Sequence, residues 1–232
     1  MKYLLASVVI TFGILGFTQA TDTRELKAKA PRVELLRETF GTEGALPLDG
    51  MPVLVVGSLR ISYVCQSPNG LSKASLLYRV LKNGAAGKGA KDKEPWIVLP
   101  LVEVKADEKT GPFNPKTGVF ANTKFDQEMQ FHAAPAPGRT VGGGRVMLNT
   151  KGLPDSKGKR VDLRPGDQIE YCIEVTEVER KPMAAVPAGR SQTRVTAVVS
   201  PPEFEAWIFR AFEEDKRIRE LERKQKGLFR SK

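Results

Sequence analysis

Between residues 161 and 178 the chain reads VDLRPGDQIEYCIEVTEV. From Gln168 onward apolar and polar side chains alternate. Ile169, Tyr171, Ile173 and Val175 share one parity; Gln168, Glu170, Cys172 and Glu174 share the other. A period of two with one apolar face predicts a half-buried antiparallel strand. Pro165-Gly166-Asp167 ahead of it is a turn, because Pro presets one backbone angle and Gly accepts a positive one. The same patterning predicts an edge strand over 31–36 and a strand over 74–81, with Ala74, Leu76, Tyr78 and Val80 inward. Val53, Val55, Leu59, Ile61, Tyr63 and Cys65 keep one parity, and Gly57 interrupts it, so two short strands or a bulge are expected. Further strands are expected over 96–104, 145–149 and 190–199, the last with Val195, Ala197 and Val199 inward. Ile97-Val98-Leu99 is apolar on both parities, which calls for a cover by another layer or by the C-terminal helix.

Turns and loops separate these strands. Ser67-Pro68-Asn69-Gly70 is a turn, and 83–93 is a Gly/Ala/Lys loop with nothing to bury. The stretch 105–145 reads as a long insertion punctuated by Gly111-Pro112, Asn114-Pro115, Pro135-Ala136-Pro137 and Gly142-Gly143-Gly144. One strand is expected inside it, over 119–131, carrying Phe120, Phe125, Met129 and Phe131, and the three glycines read as a hinge. Irregular stretches of this length inside a domain are often functional. A basic loop follows over 150–159.

After Ser200 the period changes. Ser200, Pro201, Pro202 and Glu203 combine an N-cap, a first-turn proline and a capping-box glutamate. Phe204, Trp207, Ile208, Ala211, Phe212 and Ile218 then recur at helical spacing. Acidic residues come early and basic ones late, in keeping with the helix dipole. A helix is expected over 201–226, ended by Gly227, with 227–232 as a basic tail. Its aromatic first half is expected to pack on the domain and its charged second half to project.

The start of the chain predicts export. Lys2 precedes an apolar run of about 14 residues, short of the ~20 needed to span a bilayer, and Thr18-Gln19-Ala20 offers small residues for cleavage. Residues 1–20 are therefore read as a signal peptide cleaved near Ala20, with an uncleaved anchor as the alternative, and 21–31 as a flexible leader. The destination is periplasmic or extracellular. Of 232 residues 41% are hydrophobic, enough for one good-sized core, and 16 Pro with 21 Gly favour turns over a helical bundle. Export permits disulfides. Cys65 shares the inward parity, however, and Cys172 the outward one, so a bond between them is not expected unless a bulge reverses one parity.

The formal net charge is +10. Such a balance suits solubility or attraction to a polyanion. Basic residues concentrate in 82–93, 151–164 and 210–232. If the clusters share one end of the domain they form a polyanion-binding surface, for which Lys88, Lys91, Lys93, Lys157, Lys159 and Arg160 are the candidates. Acidic polysaccharide or an anionic membrane surface would be the partner. Nucleic acid is not favoured, because aromatic residues do not interleave with the loop cations. Phe204, Trp207, Ile208 and Phe212 read as core, or as a face docking a partner, such as another envelope protein, or a membrane surface.

Catalytic chemistry is thin. The Gly-rich stretch 84–88 lacks nucleotide-loop spacing, with Gly89 where Ser or Thr would hold a metal. Gly142-Gly143-Gly144-Arg145 could offer amides to an anion but reads as a hinge. His132 is the one histidine and reads as a loop residue; with two cysteines of opposite parity it makes a poor metal set. No catalytic residue, metal or cofactor is expected.

Two stretches carry a resemblance. Leu163-Arg164-Pro165-Gly166-Asp167, continuing through Ile169 and Tyr171, resembles the turn into the sixth strand of fibronectin type III and related immunoglobulin-like sandwiches. Asn69-Gly70-Leu71, with Ala74, Leu76 and Tyr78, resembles a strand-turn-strand of sandwich modules in exported bacterial envelope proteins. The resemblance implies a mainly β fold: an immunoglobulin-like antiparallel β-sandwich over 32–200, followed by one long C-terminal α-helix. Ile169 stands where the fibronectin pattern has Tyr, so that corner hydrogen bond is missing, and 105–145 has no counterpart. The function implied is a non-catalytic module for protein contacts, or a structural spacer, in the envelope; the alternative is binding of acidic glycans or anionic lipid.

Overall fold

A computed structural model describes residues 30–36, 51–83, 95–104, 110–122, 129–155, 157–178 and 187–230. Residues 1–29, which cover the expected signal and most of the expected leader, lie outside them, as do Lys88, Lys91, Lys93, Phe125 and the 84–88 stretch. The fold is mainly β with one C-terminal helix. In chain order the strands are β1 (Arg32–Leu35), β2 (Val53–Leu54), β3 (Ser58–Ser67), β4 (Leu71–Leu81), β5 (Ile97–Pro100) and β6 (Val102–Val104). Next come β7 (Phe113–Asn114), β8 (Val119–Phe120), β9 (Gln130–Ala136), β10 (Arg139–Asn149), β11 (Leu153–Pro154) and β12 (Arg160–Val161). The chain closes with β13 (Gln168–Glu177), β14 (Gly189–Arg190), β15 (Arg194–Val199) and the helix α1 (Pro201–Arg230).

One sheet has the order β1-β3-β10-β9-β6; the other runs β2-β15-β13-β4-β5, with β14 also on β13. Their inner faces share a core. Ile61, Tyr63, Phe131 and Val146 come from the first sheet, and Leu76, Tyr78, Ile169, Ile173 and Val175 from the second. The predicted inward parities of β4 and β13 hold. Burying these side chains stabilises the fold by about 1.5–3 kcal/mol each before conformational entropy is charged against them.

The sheets are mixed rather than purely antiparallel, because β2 runs parallel to β15 and β6 parallel to β9. The second parallel pair arises where 96–104, expected as one strand, crosses between sheets. The Leu101 N–H donates to Ala74 O at 2.9 Å in one sheet, and the next N–H, of Val102, donates to Met129 O at 2.8 Å in the other. Pro100 just before the switch has no N–H to donate. The cover expected over Ile97-Val98-Leu99 is not seen at Val98, which is 55% exposed.

The stretch 105–145 holds more sheet than expected. It contains the hairpin β7–β8, all of β9 and the start of β10. Gly142, Gly143 and Gly144 are no hinge but the middle of β10, paired with Cys65, Val64 and Tyr63 of β3. Each admits a close neighbour. A Cβ on Gly142 would meet Leu71 Cδ1 at 2.6 Å, and one on Gly144 would meet the Tyr63 ring at 2.9 Å. A Cβ on Gly143, on the other face, would meet the Gly118 carbonyl at 2.6 Å. Glycine here makes room on both sides of the sheet at some cost in strand propensity. Of the predicted strand over 119–131 the described residues hold β8 and the first residues of β9, and 123–128 lie outside them.

In β15 the inward residues are Thr196 and Val198, while Val195 is 43% exposed and Ala197 is exposed. The expectation for Val195, Ala197 and Val199 had the parity inverted. The register against β13 puts Thr196 opposite the buried Ile169 and decides the face. The cysteine parities hold: both thiols are free, with Cys65 in the shared core. Outward parity does not expose Cys172, which is buried beside Leu77. The Arg79–Glu170 pair at 2.5 Å and the Arg190–Glu174 pair at 2.6 Å flank it, and the Arg79 guanidinium lies 4.8 Å from the Trp96 ring centre.

Candidate functional site

The Asp167 turn gathers one end of the molecule. Gly166 has φ +93°, the positive value the turn needs. The Asp167 carboxylate accepts hydrogen bonds from the backbone N–H of Arg164 and of Asn83, each at 2.9 Å, and from Lys82 Nζ at 3.0 Å. Burial pushes this carboxyl upward, but the Asn83 and Arg164 amides with the Lys82 ammonium outweigh it and hold it below its ordinary value. Gly166 N–H donates to Val198 O, and Val198 N–H to Asp167 O, both at 2.8 Å. The end of β4 and the approach to β13 therefore meet at the Asp167 carboxylate, and the end of β15 joins them through the Gly166–Asp167 backbone.

Two of the basic clusters reach this end. Lys82 Nζ also donates to Asp162 O at 2.8 Å, tying the start of the 83–93 loop to the segment after β12. The hairpin β11–β12 is anchored by Leu153 in the core and by the Tyr78 hydroxyl, which donates to Pro154 O at 2.8 Å. At its tip Asp155 Oδ1 accepts the N–H of Lys157 and of Lys159, both at 2.8 Å. That carboxylate is spent on backbone, while Lys157, Lys159 and Arg160 are exposed. The sequence pattern selects those cations, the Asp167 turn and Lys82 in a basic cluster, but not Asp155, which holds the tip, nor the bond between Lys82 and Asp167. The Pro-Gly-Asp triplet was the available signal for Asp167.

The third cluster leaves from the same end on α1. Ser200 caps the helix as predicted: its N–H and hydroxyl donate to Glu203 Oε2 at 2.8 and 2.7 Å. Those two bonds, the backbone one foremost, lower the Glu203 carboxyl from its ordinary value. The helix continues through Gly227 to Arg230, so the predicted stop is overrun. Phe204 and Trp207 stack at 6.5 Å between ring centres, and with Ile208 they are half-buried. Phe212 is 50% exposed and Phe209 72%. The aromatic stripe is thus not core; among the described strands the helix contacts chiefly β2.

His132 is not in a loop but in β9, with no exposed surface, beneath the β7–β8 hairpin. Its Nε2 lies 3.1 Å from Gln130 Oε1, and the Phe120 ring meets it edge-on at 5.2 Å. Nδ1 has no hydrogen-bond partner among the described residues. Burial lowers its pKa to about 4. No group of three or more metal-ligating side chains occurs among the described residues. No described helix is long and apolar enough to cross a membrane.

No protein-family model matches the chain, and neither a curated protein nor a solved structure matches it significantly.

Proposed function

We propose that the chain is an exported, non-catalytic immunoglobulin-like module that makes protein contacts, or spaces its neighbours, in the bacterial envelope. Strand order supports the immunoglobulin-like part. β1-β3-β10-β9 follows the A-B-E-D order of that sandwich, and β15-β13-β4 its G-F-C order. The two cysteines fall on the strands in the B and F positions, although they face opposite ways. The cap hairpin β7–β8 and the added strand β6 are this chain's own additions. Export rests on the pattern of residues 1–20.

One observation carries the contact reading. α1 leaves the sheets with Phe209, Phe212, Ile218 and Leu221 each at least half exposed. Ile218 and Leu221, three positions apart, share one face of the helix, and adjoining exposed apolar side chains suit an interaction surface. The test is capture from envelope extract with the full chain and with a chain ending at Ser200. Loss of partners in the shorter chain is expected; identical partner sets reject the helix as the surface.

A second reading is favoured by the shared end. Lys82 bonds both the Asp167 carboxylate and Asp162 O in the segment leading from the exposed Lys157–Arg160 tip, an arrangement of cations that suits acidic glycans or anionic lipid. Retention on a heparin-like resin at moderate salt is expected to fall when Lys157, Lys159 and Arg160 become Glu, and again when Lys88, Lys91 and Lys93 do. Unchanged retention rejects it.

A further inference from the structure

The helix α1 carries opposite charges in its two halves. From Pro201 to Asp215 there are five acidic residues and one basic; from Lys216 to Arg230 there are seven basic and two acidic. Within the chain an i,i+4 pair, Asp215–Arg219 at 2.7 Å, helps the helix persist in water. Across the seam such pairs leave most of the polarity intact.

The apolar positions form a stripe along the same axis. At about 100° per residue, Phe204, Trp207, Ile208, Ala211, Ile218 and Leu221 fall within an arc of about 140°. The first four are intermediate or lightly covered near the sheets, while Ile218 and Leu221 are 56% and 61% exposed. The stripe therefore continues past the domain onto a part of the helix that nothing among the described residues covers.

We infer that α1 pairs antiparallel with α1 of a second copy of this chain. This rests on the reading of the helix as a contact surface and names its partner. A parallel pair would set the acidic halves against each other and the basic halves likewise. An antiparallel pair sets each acidic half against a basic one, twice. With the two-fold axis level with Lys216, Ala211 of one helix stands level with Leu221 of the other, and both lie on the stripe. At that register Arg210 stands level with Glu222, Glu213 with Arg219 and Asp215 with Arg217, so the halves meet with opposite charges. A small residue opposite a large one permits the usual interaxial distance of about 8–10 Å. At ~1.5 Å per residue the 30-residue helix spans about 45 Å, which carries the two domains to opposite ends.

Sedimentation of the full chain tests this. A dimer is expected at low ionic strength, with association weakened about tenfold or more as salt shortens the Debye length to ~3 Å. Full chains with Glu213→Lys, Glu214→Lys and Asp215→Lys should be monomeric alone. So should chains with Arg217→Glu, Arg219→Glu and Arg223→Glu. Mixed one to one, the two should recover a dimer. Should charge reversal melt the helix, as circular dichroism would report, direction is read instead by oxidative cross-linking. Ala211→Cys chains mixed with Leu221→Cys chains should link to each other and not to themselves. Self-links within either population mean a parallel pair and overturn the inference. A monomer at about 100 μM also overturns it, as does a monomer that sediments with anionic vesicles through α1. If that monomer still loses its envelope partners when cut at Ser200, self-pairing fails while the contact reading stands.

Discussion

Gly143 in β10 lies against Gly118 in the turn between β7 and β8, so close that a Cβ on Gly143 would sit 2.8 Å from the Gly118 Cα. Two strands that look unremarkable in sequence thereby seat a cap on the outer face of the first sheet. Under it Val119, Phe120, Gln130 and His132 are buried.

Gly143→Ala is expected to press on the Tyr63 and Gly118 backbones, lift that cap and destabilise the fold by about 1–3 kcal/mol, the range for overpacked sites. Gly138→Ala is the comparison. Its Cβ would meet nothing within 4 Å, and only its φ of +67° is strained, at about 1–2 kcal/mol. Urea unfolding of both variants decides it; equal losses would mean that the cap does not rest on Gly143.

His132 makes stability depend on pH. Its folded pKa of about 4 lies below the ordinary 6.5, so the unfolded chain takes up a proton first. Stability is full above pH 6.5 and falls as pH drops toward 4, by about 3 kcal/mol at ~1.4 kcal/mol per unit. Unfolding free energies of parent and His132→Gln across pH 4–7 should show the parent losing that much more than the variant.

Asp167 acts with the same sign, in a lower pH range. Its folded pKa is depressed, so its contribution is present above the ordinary 3.8 and is lost as pH falls through the folded value. Asp167→Ala leaves the Asn83 and Arg164 amides without their acceptor, at about 1–3 kcal/mol for each. A lowered melting temperature at pH 7, with the gap to the parent closing below pH 4, is the expected result.

The two thiols are predicted to be inert in the folded chain. Both are buried, and burial raises Cys65 to about 12 and Cys172 above its ordinary value. Alkylation should be slow in buffer and complete in denaturant. Mass spectrometry after native oxidation should find no link between Cys65 and Cys172, because Cys65 of β3 lies in the core between the sheets and Cys172 of β13 points out of the second sheet on its far face.

Alternation along Ile169–Val175 and the Ser200–Glu203 cap could be read directly from the chain. Each is set by neighbours within a few positions, where backbone geometry alone decides which side chains meet. The break at Gly57, the Asp167 turn and the opposed cysteine parities were legible for the same reason. Tertiary structure alone decided the rest. Gly142 to Gly144 look like a hinge until Leu71, Tyr63 and Gly118, distant in sequence, require the room they leave. The parity of β15 followed from pairing with Ile169, and the sheet switch at Leu101 from two acceptors on different sheets. Close approach and register are relations between segments far apart in the chain, so no local pattern of side chains encodes them.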